Sequence, residues 1–388
     1  MTTEATWTGT GRTVSGDPTS GICLRGSWYE IDLAAIRHNY RSLRHALPDH
    51  VRIYACLKRN GYGCGAVEMA HALAEDGADG FALASLADAI AMRRRGLDHP
   101  ILLYPGPPLE AAPVIEALDL TVSVSNVAEL QAWRGAMTRV RVFLKVDLGF
   151  FRAGATPAGA VPLLAAASAA PGVRIEGLYA HMSELPSTTP ADAAAQRQRM
   201  QAILHAAAGL GVDLPLVMMS STEGVLNHPD MDFGGVDPGA LLVGLSETAS
   251  PVRPIALRPA LKAIVSRLVA IKQIDASLGP LPDLPGFHDG MILGVIAFGW
   301  GDGFPRQVPA GASALVRGRR VPILPPAHLE HLRLDLTGVP QARFGDPVIL
   351  LGRQGDAEIT LEEVATLWGT DALGLYASLR DHVPRLYT

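Results

Sequence analysis

The chain has few cysteines, and the three it has (Cys23, Cys56 and Cys64) are an odd set without metal-ligand spacing. That argues against a disulfide framework or a thiolate metal site and fits reduced thiols in the cytoplasm. Charge is also scarce, at 18% of residues, and the net −5 comes with no basic block, so the footprint of a nucleic-acid binder is missing. No apolar run is long enough to cross a bilayer, and no charged-then-apolar segment opens the chain, so neither a membrane span nor a secretory leader is expected. No internal repeat is evident. What is present is a 48% hydrophobic composition over 388 residues, enough for two domains with large cores and too apolar for long disorder. The exception is Met1 to Gly21, polar and rich in Thr, Ser and Gly. With the next few residues it reads as a flexible N-terminal arm, 1–24.

From Ser27 the pattern alternates. Ser27 to Asp32 reads as a strand and Leu33 to Leu47 as a helix stopped by Pro48. Short apolar strands then recur at Val51 to Leu57, Gly80 to Ala84, Ile101 to Tyr104, Thr121 to Val124, Val140 to Val146, Gly177 to His181 and Leu216 to Ser220, with helical spacing between them. Arg93, Arg94 and Arg95 fall at a helix C-terminus, where the macrodipole favours cations, and do not read as a binding patch. The alternation predicts a closed parallel α/β barrel (TIM-like) over about 25–255. Beyond Pro251 the texture changes to alternating apolar segments punctuated by Gly, Pro and Asp, from Ala263 to Leu351. These predict a C-terminal antiparallel β domain over 256–388. Its last helical stretch, Leu361 to Leu379, leads to a tail at Pro384 to Tyr387 that returns to the barrel.

The stretch that organises the chain is Leu57-Lys58-Arg59-Asn60-Gly61-Tyr62-Gly63-Cys64-Gly65. It places Lys58 at the C-terminal end of a buried strand, the end that carries the chemistry in a (β/α) barrel. A desolvated lysine there loses its proton readily and can serve as an amine nucleophile or base. The pattern Lys58-x-Asn60-x-Tyr62-Gly63-x-Gly65 resembles the cofactor-lysine motif of the alanine racemase family, enzymes that use pyridoxal 5′-phosphate (PLP). Further matches follow in order from about Arg25 to Tyr387.

The resemblance implies a homodimer whose active site is completed by the partner chain, with an amino acid as its small-molecule substrate and Lys58 holding PLP. Lys145-Val146-Asp147-Leu148-Gly149-Phe150-Phe151-Arg152 is similar to the family's K-V-D-T-G-M-G-R. It implies that Arg152 lies beside the cofactor and the substrate carboxylate, a suitable task for a planar guanidinium. It also puts Lys145 where the family often has a carbamylated lysine. Gly177 to Met182 resembles G-x-Y-T-H-F and puts His181 near the cofactor in a supporting role. Thr222, the amides of Gly239 and Ala240, Tyr62 and Tyr387 match phosphate-contacting positions, and exposed backbone N–H groups suit an anion.

Three departures stand out. Asp237 occupies the position of an arginine that faces the pyridine nitrogen, and a carboxylate there favours a protonated ring and a stronger electron sink. Trp300, within Phe298-Gly299-Trp300-Gly301-Asp302-Gly303-Phe304-Pro305-Arg306, replaces the family's catalytic tyrosine, and an indole has no titratable proton for that role. At the substrate mouth the sequence is altered at His328, Leu329 and Glu330. Two expectations follow for the reaction. One is racemisation or epimerisation, with His181, His328 or water as the replacement base, or with a single base serving both faces. The other is a different carbanion reaction on an amino acid stabilised by Asp237: decarboxylation, aldol cleavage, elimination or transfer. A non-catalytic PLP-binding protein is a third. No metal is expected.

Overall fold

The computed structural model describes residues 25–183 and 189–388; the expected arm, 1–24, and Cys23 lie outside them. The chain divides into two compact units. One is residues 34–259; the other joins the residues before 34 to 260–388. The first strand, β1 (Ser27–Ile31), pairs with strands of the second unit. Its position early in the chain suggests the barrel, but it lies inside the second unit's sheet, with β10 on one side and β17 on the other.

Among the described residues the first unit is a closed barrel of eight parallel strands. They are β2 (Arg52–Cys56), β3 (Gly80–Leu83), β4 (Ile101–Leu103), β5 (Thr121–Val124), β6 (Val140–Lys145), β7 (Val173–Tyr179), β8 (Val217–Ser220) and β9 (Gly235–Val236). All pair in parallel with their neighbours, and β9 returns to β2 through Arg52↔Gly235 and Ile53↔Val236. Most of these strands are short, apolar and almost wholly buried, as expected of parallel strands covered by helices on one face and by barrel contents on the other. The interior is filled by Tyr54, Ala82, Leu102, Phe143, Tyr179, Leu216 and Met218. Phe143 meets Tyr54 and Tyr179 edge-on, with ring centroids 5.9 and 6.1 Å apart. Gly177 admits this packing: a Cβ there would lie 2.2 Å from the Leu216 carbonyl oxygen. Helices start close behind the strand ends, several on a side-chain cap. Ser85, Asn126 and Thr156 each accept the backbone N–H three residues on.

The second unit is a sheet of nine strands among the described residues. Besides β1 it holds β10 (Leu261–Gln273), β11 (Ile292–Ile296), β12 (Ser313–Val316), β13 (Arg319–Leu324), β14 (Leu332–Asp335), β15 (Pro347–Gln354), β16 (Ala357–Ile359) and β17 (Arg385–Tyr387). The order is β16-β15-β12-β13-β14-β11-β10-β1-β17, with a further pairing of β15 to β10. Every pair is antiparallel except β1 with β17, which run parallel with Ile31 opposite Tyr387. The helical stretch after Leu361 is two helices, Leu361–Leu367 and Ala372–Ser378, separated by Gly369 at φ 72°. The observed architecture is therefore the expected barrel plus antiparallel β domain. No helix among the described residues is long and apolar enough to cross a membrane.

Candidate active site

Lys58 follows β2 by two residues and opens an unusual turn. Arg59, Asn60, Gly61 and Tyr62 all have φ between 52° and 61°, so the chain makes a turn of left-handed helix. Left-handed geometry costs an ordinary L-residue roughly 1–2 kcal/mol. Local hydrogen bonds compensate: Gly61 N to Leu57 O, Gly63 N to Arg59 O, Gly65 N to Asn60 O, and Ala66 N to Asn60 Oδ1 at 2.8 Å. Gly61 also avoids a clash, since a Cβ there would sit 2.6 Å from the Met69 sulfur. Strain of this kind, held by surrounding bonds, gathers at functional sites.

The two-residue strand β9 puts Asp237 at the same barrel end as Lys58. Asp237 is only 3% exposed. Its Oδ2 accepts the Tyr104 hydroxyl at 2.7 Å, while Oδ1 is buried with no hydrogen-bond partner. Burial pushes this carboxyl up to about 6, against the opposing pull of the Tyr104 hydrogen bond and of the Lys58 and Lys145 charges. Lys58 Nζ lies 5.4 Å from the centre of the Tyr104 ring. Lys145, at the end of β6, is buried with Nζ 4.1 Å from the centre of the Tyr179 ring. Burial lowers its amine to about 8, with Asp237 pulling up and the Arg152 and Lys58 charges pushing down. Among the described residues neither lysine has an ion-pair partner.

Asp147 shapes the loop that carries Arg152. Its Oδ1 accepts the amides of Gly149, Phe150 and Phe151, and its Oδ2 that of Arg152 at 2.7 Å. Burial raises this carboxyl, but the four amides outweigh it and hold it below the usual aspartate range. The exposed Arg152 guanidinium lies 4.3 Å from the Phe150 ring centre. Phe150 in turn meets the His181 ring edge-on at 5.0 Å. Burial, followed by the Lys58, Arg152 and Lys145 charges, lowers His181 to about 3. The imidazole is therefore held neutral near pH 7.

Several of the expected phosphate contacts lie together in the barrel unit. Thr222 Oγ1 accepts the amides of Gly239 at 3.3 Å and Leu241 at 3.1 Å, which takes both its lone pairs and leaves its O–H to donate beside the turn that carries Ala240. Residues two apart at the entry of the short turn Ala240–Val243 direct their N–H groups to one point. Gly239 is required by close approach: its Cβ would lie 2.0 Å from the Tyr62 hydroxyl. A hydroxyl left to donate, two unpaired amines and a buried carboxylate oxygen lacking a donor suit a ligand with a phosphate, an aldehyde and a ring N–H, as PLP with a protonated ring has. The barrel residues fit that group.

Trp300, His328, Leu329, Glu330 and Tyr387 all belong to the β unit. There the altered positions adjoin: Trp300 N donates to His328 O at 3.0 Å and Gly301 N to Leu329 O at 2.8 Å. Trp300 is half-buried with Arg306 5.8 Å from its ring, while His328, Leu329 and Glu330 are exposed. Asp302, 1% exposed, holds the Trp300 turn by accepting Gly299 N and pairing with Arg25 at 2.6 Å and His382 at 3.0 Å. Tyr387 lies on the edge strand β17. Sequence reasoning missed Tyr104, whose one signal is a polar ring closing the apolar strand Ile101–Leu103. It also missed Phe151, a 95% exposed ring at φ 58° where the related motif has glycine.

Comparisons with known proteins bear on the family and the fold. The model of the alanine racemase N-terminal domain matches residues 31–247, and that of the C-terminal domain matches 287–387. An alanine racemase from Symbiobacterium thermophilum is 30% identical over 372 residues, 94% of this chain and 97% of that protein. One from Sorangium cellulosum is 31% identical over 387 residues, covering 94% of this chain and 99% of its own. Among solved structures, alanine racemase from E. faecalis superposes with a TM-score of 0.82 at 29% identity, covering 94% of this chain and 98% of that one. That of Bacillus anthracis with bound L-Ala-P also scores 0.82, at 27% identity, over 94% and 95%. With both family domains matched in order around a barrel-mouth lysine, the chain belongs to the alanine racemase family, PLP-dependent isomerases.

Proposed function

We propose that this protein is a PLP-dependent amino-acid racemase or epimerase, working as a cytoplasmic homodimer in which the partner chain completes each site. When bound, PLP supplies an aldehyde that condenses with amines and a ring that draws electrons from the neighbouring Cα–H bond. Lys58 would hold it covalently. Thr222, Gly239, Ala240, Tyr62 and Tyr387 would hold its phosphate, with Asp237 at the ring nitrogen. What most supports this reading is Lys58 at the barrel mouth, beside a buried Asp237 oxygen that lacks a donor.

The chain's own groups then divide the work. Arg152 orients the substrate carboxylate, and Asp147 fixes the loop that presents it. With PLP bound, the Lys58 amine would serve as the base that accepts the Cα proton. Lys145, carbamylated or not, and neutral His181 support Arg152 and the site. The substrate is a small α-amino acid, with alanine the first to test. A second reading is favoured by Trp300 and Asp237 together. Without a titratable group at Trp300, one face of Cα lacks its acid, and a carboxylate at 237 suits a longer-lived carbanion. That combination fits decarboxylation, aldol cleavage, elimination or transfer on an amino acid.

The test is incubation of PLP-loaded protein with L- and D-amino acids in heavy water. Deuterium at Cα with inversion, lost in Lys58→Ala, is the expected result. Exchange with retained configuration moves the assignment to the second reading. A protein that binds PLP and exchanges with no amino acid is non-catalytic, and the proposal fails.

A further inference from the structure

Tyr104 belongs to none of the family motifs, yet it is the side chain that links Lys58 to Asp237. We propose that Tyr104 is a positioning residue which, by donating its hydroxyl to Oδ2 of Asp237, keeps that carboxylate ionised and leaves Oδ1 as the acceptor that holds a proton on the ring nitrogen of bound PLP. The inference rests on the reading above that PLP binds in this barrel.

Four observations carry it. Asp237 is buried, and its two oxygens are in unlike states: Oδ2 takes the Tyr104 hydroxyl at 2.7 Å and Oδ1 has no partner. A buried acceptor without a donor is costly, so the site is built for an N–H that arrives with a ligand. Second, the nearby cations do not substitute for that donor. Lys58 and Lys145 act on Asp237 through space, and neither forms an ion pair among the described residues. Third, Tyr104 is fixed. Its ring packs against the barrel-filling cluster, 6.1 Å from the centre of Tyr179, and the Lys58 amine lies over its face. Burial holds the phenol well above its ordinary ionisation range, so it stays a donor; besides Asp237 and the Lys58 amine, the titratable group facing it is the buried Cys56 thiol. Fourth, the pair is chemically matched. A phenol that donates needs an acceptor at 237, which aspartate supplies and the family's arginine would not.

The consequence concerns where one proton rests. Between a carboxylate with a ring N–H and a carboxylic acid with a neutral ring, a hydrogen bond from Tyr104 to Oδ2 favours the first, because it is stronger to an anion than to a neutral acid. Removing the hydroxyl should lower the ratio of protonated to neutral ring nitrogen by roughly tenfold or more, the scale of one hydrogen bond to a charged group.

The experiment is nitrogen-15 NMR of the holoenzyme loaded with PLP labelled at the ring nitrogen, for the wild type, Asp237→Asn and Tyr104→Phe. The expected spectra are pyridinium-like for the wild type, pyridine-like for Asp237→Asn and displaced toward pyridine for Tyr104→Phe at equal cofactor content. A purely structural role for Tyr104 would change cofactor content without moving the shift. A Tyr104→Phe shift equal to the wild type's overturns the proposal. So does a pyridine-like wild type, which keeps the test decisive even where the variant does not fold. Protein that takes up no PLP at all overturns instead the functional reading on which this stands.

Discussion

Replacing Asp237 with asparagine is expected to stabilise the cofactor-free protein at neutral pH, by an amount that grows with pH over a defined window. The folded chain holds this carboxyl at about 6, whereas the unfolded chain ionises it near 3.8. Between those values the folded state keeps a proton that the unfolded state has lost. Stability therefore falls as pH rises, at about 1.4 kcal/mol per pH unit, and the loss is complete above the folded value. The separation of about two pH units converts to roughly 3 kcal/mol. Asparagine has nearly the shape of the protonated acid and no charge to desolvate. Wild type and variant should match below about pH 4, diverge between 4 and 6, and differ by about 3 kcal/mol at pH 7 and above. His181 must be separated from this effect. Its folded value, about 3, lies below its unfolded one, so the folded state sheds its proton first and stability rises with pH over nearly the same range. In the wild type the two slopes oppose each other, and only the difference between the two proteins isolates Asp237. Urea unfolding of both at half-unit steps from pH 4 to 8, followed by tryptophan fluorescence, gives that difference. A pH-independent difference, or a variant less stable at pH 7 than at pH 4 relative to wild type, refutes the assignment of a buried, donor-poor carboxylate at 237.

Further outcomes follow from the same geometry. Trp300→Tyr should raise inversion relative to Cα exchange, measured by chiral chromatography beside deuterium uptake; an unchanged ratio would show that the phenol is not what the site lacks. Gly239→Ala should weaken PLP binding by tenfold or more in equilibrium titration, because the new methyl would sit 2.0 Å from the Tyr62 hydroxyl, and unchanged affinity would remove Gly239 and Tyr62 from the phosphate site. Gly177→Ala should cost upwards of about 3 kcal/mol in unfolding free energy, since its Cβ would meet the Leu216 carbonyl at 2.2 Å within the barrel wall; a cost under about 1 kcal/mol would mean the wall relaxes freely.

Much of this arrangement is legible in the sequence because it rests on local chemistry. The apolar run before Lys58 and the glycines after it announce a buried strand and a turn, and the structure supplies both. Burial on both faces makes the barrel strands read as short apolar runs, so most fall within a residue or two of their expected ends. What was not legible depends on distant partners. The strand β9 is two residues long, too short for any periodicity, although it closes the barrel and positions Asp237. Strand β1 looks like the first strand of the alternating series, and only its pairing with β10 reveals its unit. Tyr104 has meaning only once Asp237 is beside it, 133 residues further along the chain. The left-handed geometry from Arg59 to Tyr62 is set by a network of turn hydrogen bonds, which residue preferences alone would not have indicated for an arginine and a tyrosine.

The most direct test of the account is cofactor uptake. Purified wild-type protein mixed with PLP, stripped of free ligand and reduced with borohydride, should carry about one cofactor per chain. Peptide mapping should place it on Lys58, and Lys58→Ala should carry none. Wild-type protein that stays unlabelled, or a label on another lysine, would contradict the claim that this barrel is built around Lys58.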